Sequence, residues 1–311
     1  MNLPIMIKAH RWILGFVLCF GTTLPAFAIV LPLPAYGDVI GQIMYVRTQS
    51  GDTLNIVGKR YSIGYHEMVA ANPNLPPVTV LSSGTQVEVP SLFILPPGPR
   101  VGIVINLAEL RLYYFPPLRN VVITEPIAIG REGRWQTPEG MTEVKAKTKD
   151  PTWRPTENVR AEAARQGTPI PAVFPPGPDN PLGHYVLYLG WPTYEIHGTN
   201  RPDDFGGRVS AGCIRMMPQA IEALFQMVEV GTPVRIINVP FKSGWSEKGL
   251  YFEAHPLLEE VQQNYSENTR EVVLNLSTQV AEYTSLSVRW ALVQDFIRQA
   301  SGIPNVVAWT G

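Results

Sequence analysis

Ile196-His197-Gly198-Thr199-Asn200 and, a little further on, Val209-Ser210-Ala211-Gly212-Cys213-Ile214-Arg215-Met216 are the stretches that decide how this chain is read. Tyr194-Glu195-Ile196 has strand character, so His197 stands at a strand end, where a side chain can project into a cleft. Gly198 beside it permits close backbone approach. Cys213 follows Gly212 and precedes a helix expected from Pro218, so the backbone N–H groups of Gly212 and Cys213 are candidates to meet a developing oxyanion. A nucleophilic cysteine needs a base, oxyanion donors and access. Here Cys213 is the candidate nucleophile and His197 the candidate proton acceptor and donor. The loop between them, Arg201 to Arg208, is rich in Gly and Asp and suited to a pocket edge. Each part also has an ordinary meaning: a strand-end histidine satisfied by its neighbours, and a buried cysteine acting as a small hydrophobe.

Cysteine usage bears on that choice. The 311-residue chain has two cysteines, Cys19 and Cys213. The first 28 residues read as a leader: Lys8 and Arg11, an apolar run from Trp12 to Leu24, then Ala26-Phe27-Ala28, an A-x-A cleavage signal. The run is short for a bilayer span, which needs about 20 residues. Cleavage therefore makes Ile29 the expected first residue of a periplasmic protein with no membrane span of its own. Cys19 leaves with the leader as a hydrophobic filler, so Cys213 remains alone, a reactive-thiol candidate in an oxidising compartment.

Outward from the site, the surrounding sequence is strand-rich. Gly102 to Asn106 and Leu110 to Phe115 read as a hairpin, followed by strands at Val121 to Ile123, Ile127 to Ile129, Thr142 to Lys149 and Tyr185 to Leu189. Glu157 to Gln166 and Pro218 to Glu229 read as helices, and Val234 to Val239 as a closing strand. Leu95-Pro96-Pro97-Gly98-Pro99 reads as a stiff linker. Before it, residues 29–43 form a lead-in and 44–95 a small β-α-α-β unit: a strand at Met44 to Val46, a turn at Ser50 to Thr53, a helix capped by Asp52 or Thr53, a helix from Tyr65 to Asn72, and a strand to Pro90. After residue 240, Lys242-Ser243-Gly244-Trp245 reads as a break, Leu250 to Ala254 as a strand, and Val288 to Gln299 as a helix with its stripe on Leu292, Val293 and Phe296. The expected class is α+β: a predominantly β catalytic domain over 97–240, the small βααβ domain, and a mixed α/β tail over 241–311 that buttresses it.

Composition narrows the function. Net charge is -1 and 16% of residues are charged, without the basic surplus of a nucleic-acid binder. His66, His184 and His255 show no metal-ligand spacing, so neither a metal nor a cofactor is expected.

Two resemblances rest on these residues. Gly51-Asp52-Thr53-Leu54, Asn72-Pro73-Asn74 and Val87-Glu88-Val89-Pro90 resemble the landmarks of a LysM module. That implies a shallow site for the N-acetylglucosamine glycan of peptidoglycan, with Asp52, Thr53 and Asn72 as candidate contacts; a spacer packed on its neighbour is the alternative. His197-Gly198 with Ser210-Ala211-Gly212-Cys213-Ile214-Arg215 is similar to the YkuD-type L,D-transpeptidases, in the enterobacterial branch that includes enzymes attaching Braun lipoprotein. Thr152-Trp153-Arg154-Pro155 and the Asn180-Pro181-Leu182-Gly183 turn extend that likeness. One departure is Ala211, where many members carry a histidine before the Gly-Cys.

The resemblance implies a reaction. The Cys213 thiolate attacks the meso-diaminopimelate carbonyl of a tetrapeptide stem and releases D-Ala. The acyl group passes to an amine of a second stem or of a lipoprotein lysine. His197 handles the protons, the Gly198 carbonyl orients the imidazole, Gly212 supplies an oxyanion N–H, Ser210 is a supporting residue, and Arg215 fixes the loop or a substrate carboxylate, unless it makes only a surface salt bridge. A nucleophile–base pair of this kind is expected to populate the thiolate well below the free-thiol pKa of about 8.5. The partners implied are peptidoglycan stems and glycan and a Braun-type lipoprotein. Alternatives are a cysteine hydrolase or carboxypeptidase acting on the same links, and a non-catalytic wall-binding scaffold. A papain-like or NlpC/P60-like peptidase would place its cysteine well before its histidine, the reverse of the order here.

Overall fold

In the computed structural model, residues 29–202, 207–281 and 286–309 are described; the leader expected over 1–28 lies outside them. The strands of the main sheet are β1 (Ile29–Pro32), β4 (Gly102–Asn106), β5 (Arg111–Phe115), β6 (Val121–Pro126), β7 (Ala128–Gly130), β8 (Gly140–Lys149), β9 (Tyr185–Leu189), β10 (Glu195–His197), β11 (Gly207–Ser210), β12 (Ile214–Arg215) and β13 (Pro233–Ile237). They run in the order β1-β6-β5-β4-β13-β8-β9-β10-β12-β7-β11. Helices α3 (Glu157–Arg165) and α4 (Pro218–Met227) interrupt them in sequence.

The sheet is covered on both faces, and the strand sequences show why. β4 and β5 are buried at every position, as continuous apolar strands are when neither face meets water. Successive side chains point to opposite faces. Ile103, Ile105, Leu112 and Tyr114 accordingly join one core, with Ile196, Ile214, Ile221 and Leu224. Val104, Tyr113, Phe115 and Val122 join a second core on the other face.

That second core belongs to the β-α-α-β unit: β2 (Val39–Arg47), α1 (Leu54–Arg60), α2 (Tyr65–Ala71) and β3 (Gln86–Ile94). Leu54, Val57, Met68, Val87 and Val89 pack with the sheet residues just named. The expected element order is present, and Thr53 caps α1 by accepting the Ile56 N–H at 3.2 Å. Two features differ from the sequence reading. Residues 29–43 are not a plain lead-in: β1 pairs antiparallel with β6, and β2 starts at Val39 to pair with β3 along its whole length. Leu95 and Pro96 are buried, not strung out as a linker, because the unit's core is continuous with the sheet's.

The C-terminal part holds a three-stranded antiparallel sheet, β14 (Phe241–Ser246), β15 (Gly249–Ala254) and β16 (Asn305–Ala308), with α5 (Tyr265–Val280) and α6 (Trp290–Gln299). Its own core gathers Leu250, Phe252, Leu276, Val293, Ile297 and Val307, with Phe296 alongside. The expected break at Lys242 to Trp245 is a strand instead. A lysine among Ser and Gly suggests a loop only while its partners are unseen. The buried Lys242 ammonium lies 2.8 Å from Glu109, 2.8 Å from Glu253 and 2.5 Å from the Ile94 carbonyl, joining the tail to the β4–β5 turn and to β3. No helix among the described residues is long and apolar enough to cross a membrane. The class is α+β with a mostly β catalytic domain and a mixed α/β tail.

Candidate active site

The sheet brings the two motif stretches side by side. β10 pairs antiparallel with β9 and parallel with β12, with Ile196 opposite Ile214 and His197 opposite Arg215. Cys213 is the residue immediately before β12, so it arrives next to the strand that carries His197. The Met216 N–H donates to the His197 carbonyl at 2.8 Å and ties the two strands beyond the motif.

His197 is buried, and its Nδ1 lies 2.7 Å from the Gly198 carbonyl oxygen. A carbonyl only accepts, so Nδ1 carries the proton and Nε2 keeps its lone pair. Burial, reinforced by the positive charge of Arg215, pushes the imidazole down to about 3, against the Gly198 hydrogen bond. It is therefore neutral at physiological pH, the state a general base requires. Gly198 has a packing reason of its own: a Cβ there would come within 3.2 Å of both Ile221 on α4 and the Leu182 carbonyl. The turn holding Leu182 is organised by buried Asn180, which donates to the Pro151 carbonyl at 2.7 Å and accepts the Leu182 N–H at 3.0 Å.

The turn before Cys213 is closed by Ser210, whose hydroxyl donates to the Cys213 carbonyl at 2.6 Å and accepts the Gly212 N–H at 3.1 Å. This corrects the expectation for Gly212. Its N–H is engaged by Ser210 and is not turned toward an oxyanion. What the position needs from glycine is conformation: φ is +113°, and a Cβ would lie 2.9 Å from the Tyr194 ring. Thr137, in the loop before β8, locks the turn to β7, donating to the Gly212 carbonyl at 2.8 Å and accepting the Gly130 N–H at 2.9 Å.

Cys213 is half-buried, and its thiol donates to the Thr193 carbonyl at 3.4 Å. Burial first, then the nearby Glu195 carboxylate, pushes the thiol up to about 12. The expected low-pKa thiolate is thus corrected: unliganded, the pair is thiol plus neutral imidazole, because burial penalises both charged forms. Glu195 is itself pushed up to about 7 by burial.

Sequence reading singled out Ser210, Gly198, His197, Cys213 and Arg215, all of which meet here. It missed Thr137, Thr193 and Glu195. Glu195 stands two residues before the histidine, on the same face of β10, and was within reach of a strand-face argument; Thr137 and Thr193 carry no motif and are placed by the loop before β8 and by the turn before β10.

Asp52, Thr53 and Asn72, the glycan candidates, are used internally. Asp52 is buried and accepts from Arg60 at 2.5 and 3.0 Å and from the Gln49 N–H at 2.7 Å. Thr53 caps α1. Buried Asn72 donates to the Met68 and Glu88 carbonyls, each at 2.8 Å, and accepts the Glu88 N–H at 2.9 Å. These hydrogen bonds use the three side chains to build the unit. Glu109, Glu253 and His255 cluster closely enough to suggest a metal site, but the Lys242 ammonium already supplies the cation between the two carboxylates. A cleft of about 920 Å³ runs between α2, β6 and the tail, lined by Glu67, Glu125, Arg208 and His255; neither His197 nor Cys213 lines it.

The chain is similar to proteins already known. Residues 100–236 match the family described as the L,D-transpeptidase catalytic domain, YkuD. The Escherichia coli K12 protein named "Probable L,D-transpeptidase YcfS" is 41% identical over 267 residues, covering 82% of this chain and 83% of that one. "Probable L,D-transpeptidase YbiS" of the same organism is 38% identical over 284 residues, 90% of this chain and 92% of that one. A crystal structure of an Enterococcus faecium L,D-transpeptidase is 26% identical over 45% of this chain and 50% of that chain, with a TM-score of 0.35.

Proposed function

The chain belongs to the L,D-transpeptidase family and is a peptidoglycan L,D-transpeptidase, and from that footing we propose that Cys213 and His197 carry its reaction. The observation that supports this most is the pairing of β10 with β12, which sets the single cysteine of the described residues beside a buried histidine whose proton is pinned on Nδ1. Nε2 takes the thiol proton as sulfur attacks the meso-diaminopimelate carbonyl of a tetrapeptide stem. Thiol and imidazole are both neutral beforehand, so proton transfer accompanies attack instead of preceding it. The tetrahedral oxyanion is met by the Cys213 N–H, since the Gly212 N–H is held by Ser210. Collapse expels D-Ala, which takes the proton from the imidazolium, and leaves a thioester on Cys213. An amine of a second stem, or of a lipoprotein lysine, attacks the thioester; His197 accepts its proton and returns it to sulfur.

The protein is exported to the periplasm, with residues 1–28 cleaved as a leader. The βααβ unit is a LysM-like module that meets glycan through its exposed surface, Asp52 and Asn72 being buried within it. A carbapenem, which carries a strained carbonyl, tests the chemistry. Intact-protein mass spectrometry should show a single adduct, lost in Cys213→Ala, and purified cell walls should gain cross-linked or lipoprotein-linked products only with the unmodified protein. An adduct that persists in Cys213→Ala would end the assignment.

A further inference from the structure

β1 is an edge strand of four residues, held to the sheet on one side by β6. Ile29, the residue expected to come first once the leader is cut, lies on this strand opposite Thr124. In the structure the Ile29 backbone nitrogen lies 3.2 Å from Oε1 of Glu125, on β6 beside the residue that pairs with Ile29. Glu125 is buried, with 3% of its surface exposed. Its other hydrogen bond comes from the hydroxyl of Ser62, between α1 and α2, at 3.1 Å. Arg111 on β5 is near enough to favour its ionised form, but the ion pair Arg111 forms is with Glu67 on α2, at 3.5 Å. Burial outweighs Arg111 and lifts the Glu125 carboxyl to about 7. A carboxylate in such a place calls for a further cation.

Cleavage supplies one. Hydrolysis of the Ala28–Ile29 amide by a leader peptidase adds one water across the bond. The Ala28 side leaves as a carboxylate and the Ile29 nitrogen becomes an α-ammonium at near-neutral pH, where the free α-amine pKa is about 8. We propose that this newly formed Ile29 α-ammonium forms a buried ion pair with Glu125, so that removing the leader locks β1 onto the edge of the sheet. As an amide the nitrogen already lies within reach of Glu125, so cleavage need only change its charge. The lock joins β1, β6 and, through Ser62, the βααβ unit, whose core Ile29 and Leu31 also contact. The leader-bearing chain lacks this pair, so its edge strand is held less firmly until export is complete.

The inference rests on the cleavage reading above, and the test separates the two. The chain beginning at Ile29 is compared with one extended by Ala28, each with Glu125 or Glu125→Gln, by urea unfolding at pH 7. The free terminus should favour the folded state by about 10- to 100-fold over the extended chain, the usual range for a coupled pair, and Glu125→Gln should remove most of that difference. An NMR titration supplies a readout that packing alone would not move: the Ile29 α-ammonium should titrate at least one unit above about 8, and fall back in Glu125→Gln. An ordinary amine pKa, or an equal advantage of the free terminus in both backgrounds, overturns the ion pair. N-terminal sequencing of protein recovered from cells tests the cleavage site by itself; a first residue other than Ile29 overturns the lock together with that reading.

Discussion

The sharpest consequence of the site concerns the ionisation of Cys213. The perturbation is Glu195→Gln, which removes a carboxylate without changing the shape of β10. The thiol is pushed from 9.0 to about 12, burial contributing most and Glu195 next. Three units correspond to about a thousandfold less thiolate at any pH well below 9, since each unit is a factor of ten. Alkylation by iodoacetamide follows the thiolate fraction. Its rate on the unmodified protein should be about a thousandfold below that of an ordinary cysteine at pH 8, and should climb without a plateau to at least pH 10. Glu195 is charged only above about 7. The sign follows: at pH 8 to 9 its negative charge opposes the thiolate, so Glu195→Gln should alkylate faster, by about threefold to tenfold, the scale of one unit or less. Below pH 6, where Glu195 is protonated, the two proteins should react alike. A plateau at or below pH 8 in the unmodified protein would show a preformed thiolate–imidazolium pair and refute the neutral-pair mechanism.

Three further outcomes are expected. His197→Ala should slow carbapenem acylation by about 10²-fold or more, the scale of losing a general base, while iodoacetamide alkylation changes less than threefold because the imidazole was already neutral; parallel loss of both rates would mean a collapsed site. Ser210→Ala leaves the Gly212 N–H and the Cys213 carbonyl without their partner, which costs about 1–3 kcal/mol. Denaturant unfolding should show that loss, with acylation slowed, and Ser210→Thr should restore most of both. Lys242→Met strands Glu109 and Glu253 in the interior and should destabilise by about 3–5 kcal/mol in urea. Glu109 is held below its ordinary value by Lys242 despite its burial. Its contribution is therefore present above about 4.5 and lost as pH falls through its folded pKa, so the gap between Lys242→Met and the unmodified protein should narrow in acid.

Much of this was legible in the sequence. Strand-end His197, the Ser210 to Cys213 turn and the order of β and α elements all follow from local pattern, because apolar alternation, glycine placement and helix caps act over a few residues. Thr53 was among the expected caps, and it caps α1. Long-range pairing escaped that kind of reading. Lys242 looked like part of a break because its partners Glu109 and Ile94 lie 133 and 148 residues away. The LysM resemblance offered Asp52 and Asn72 as glycan contacts, and residue type alone could not tell that their hydrogen bonds would be spent in the interior. The Gly212 N–H could be counted from the sequence, but that Ser210 would claim it depends on the turn's closure. Sequence alone determined which groups could do chemistry here: one thiol, one imidazole, and the glycines beside them. Only the tertiary structure decided their protonation, because pKa depends on how much water and charge surrounds a group, and that is set by residues from many parts of the chain packed together.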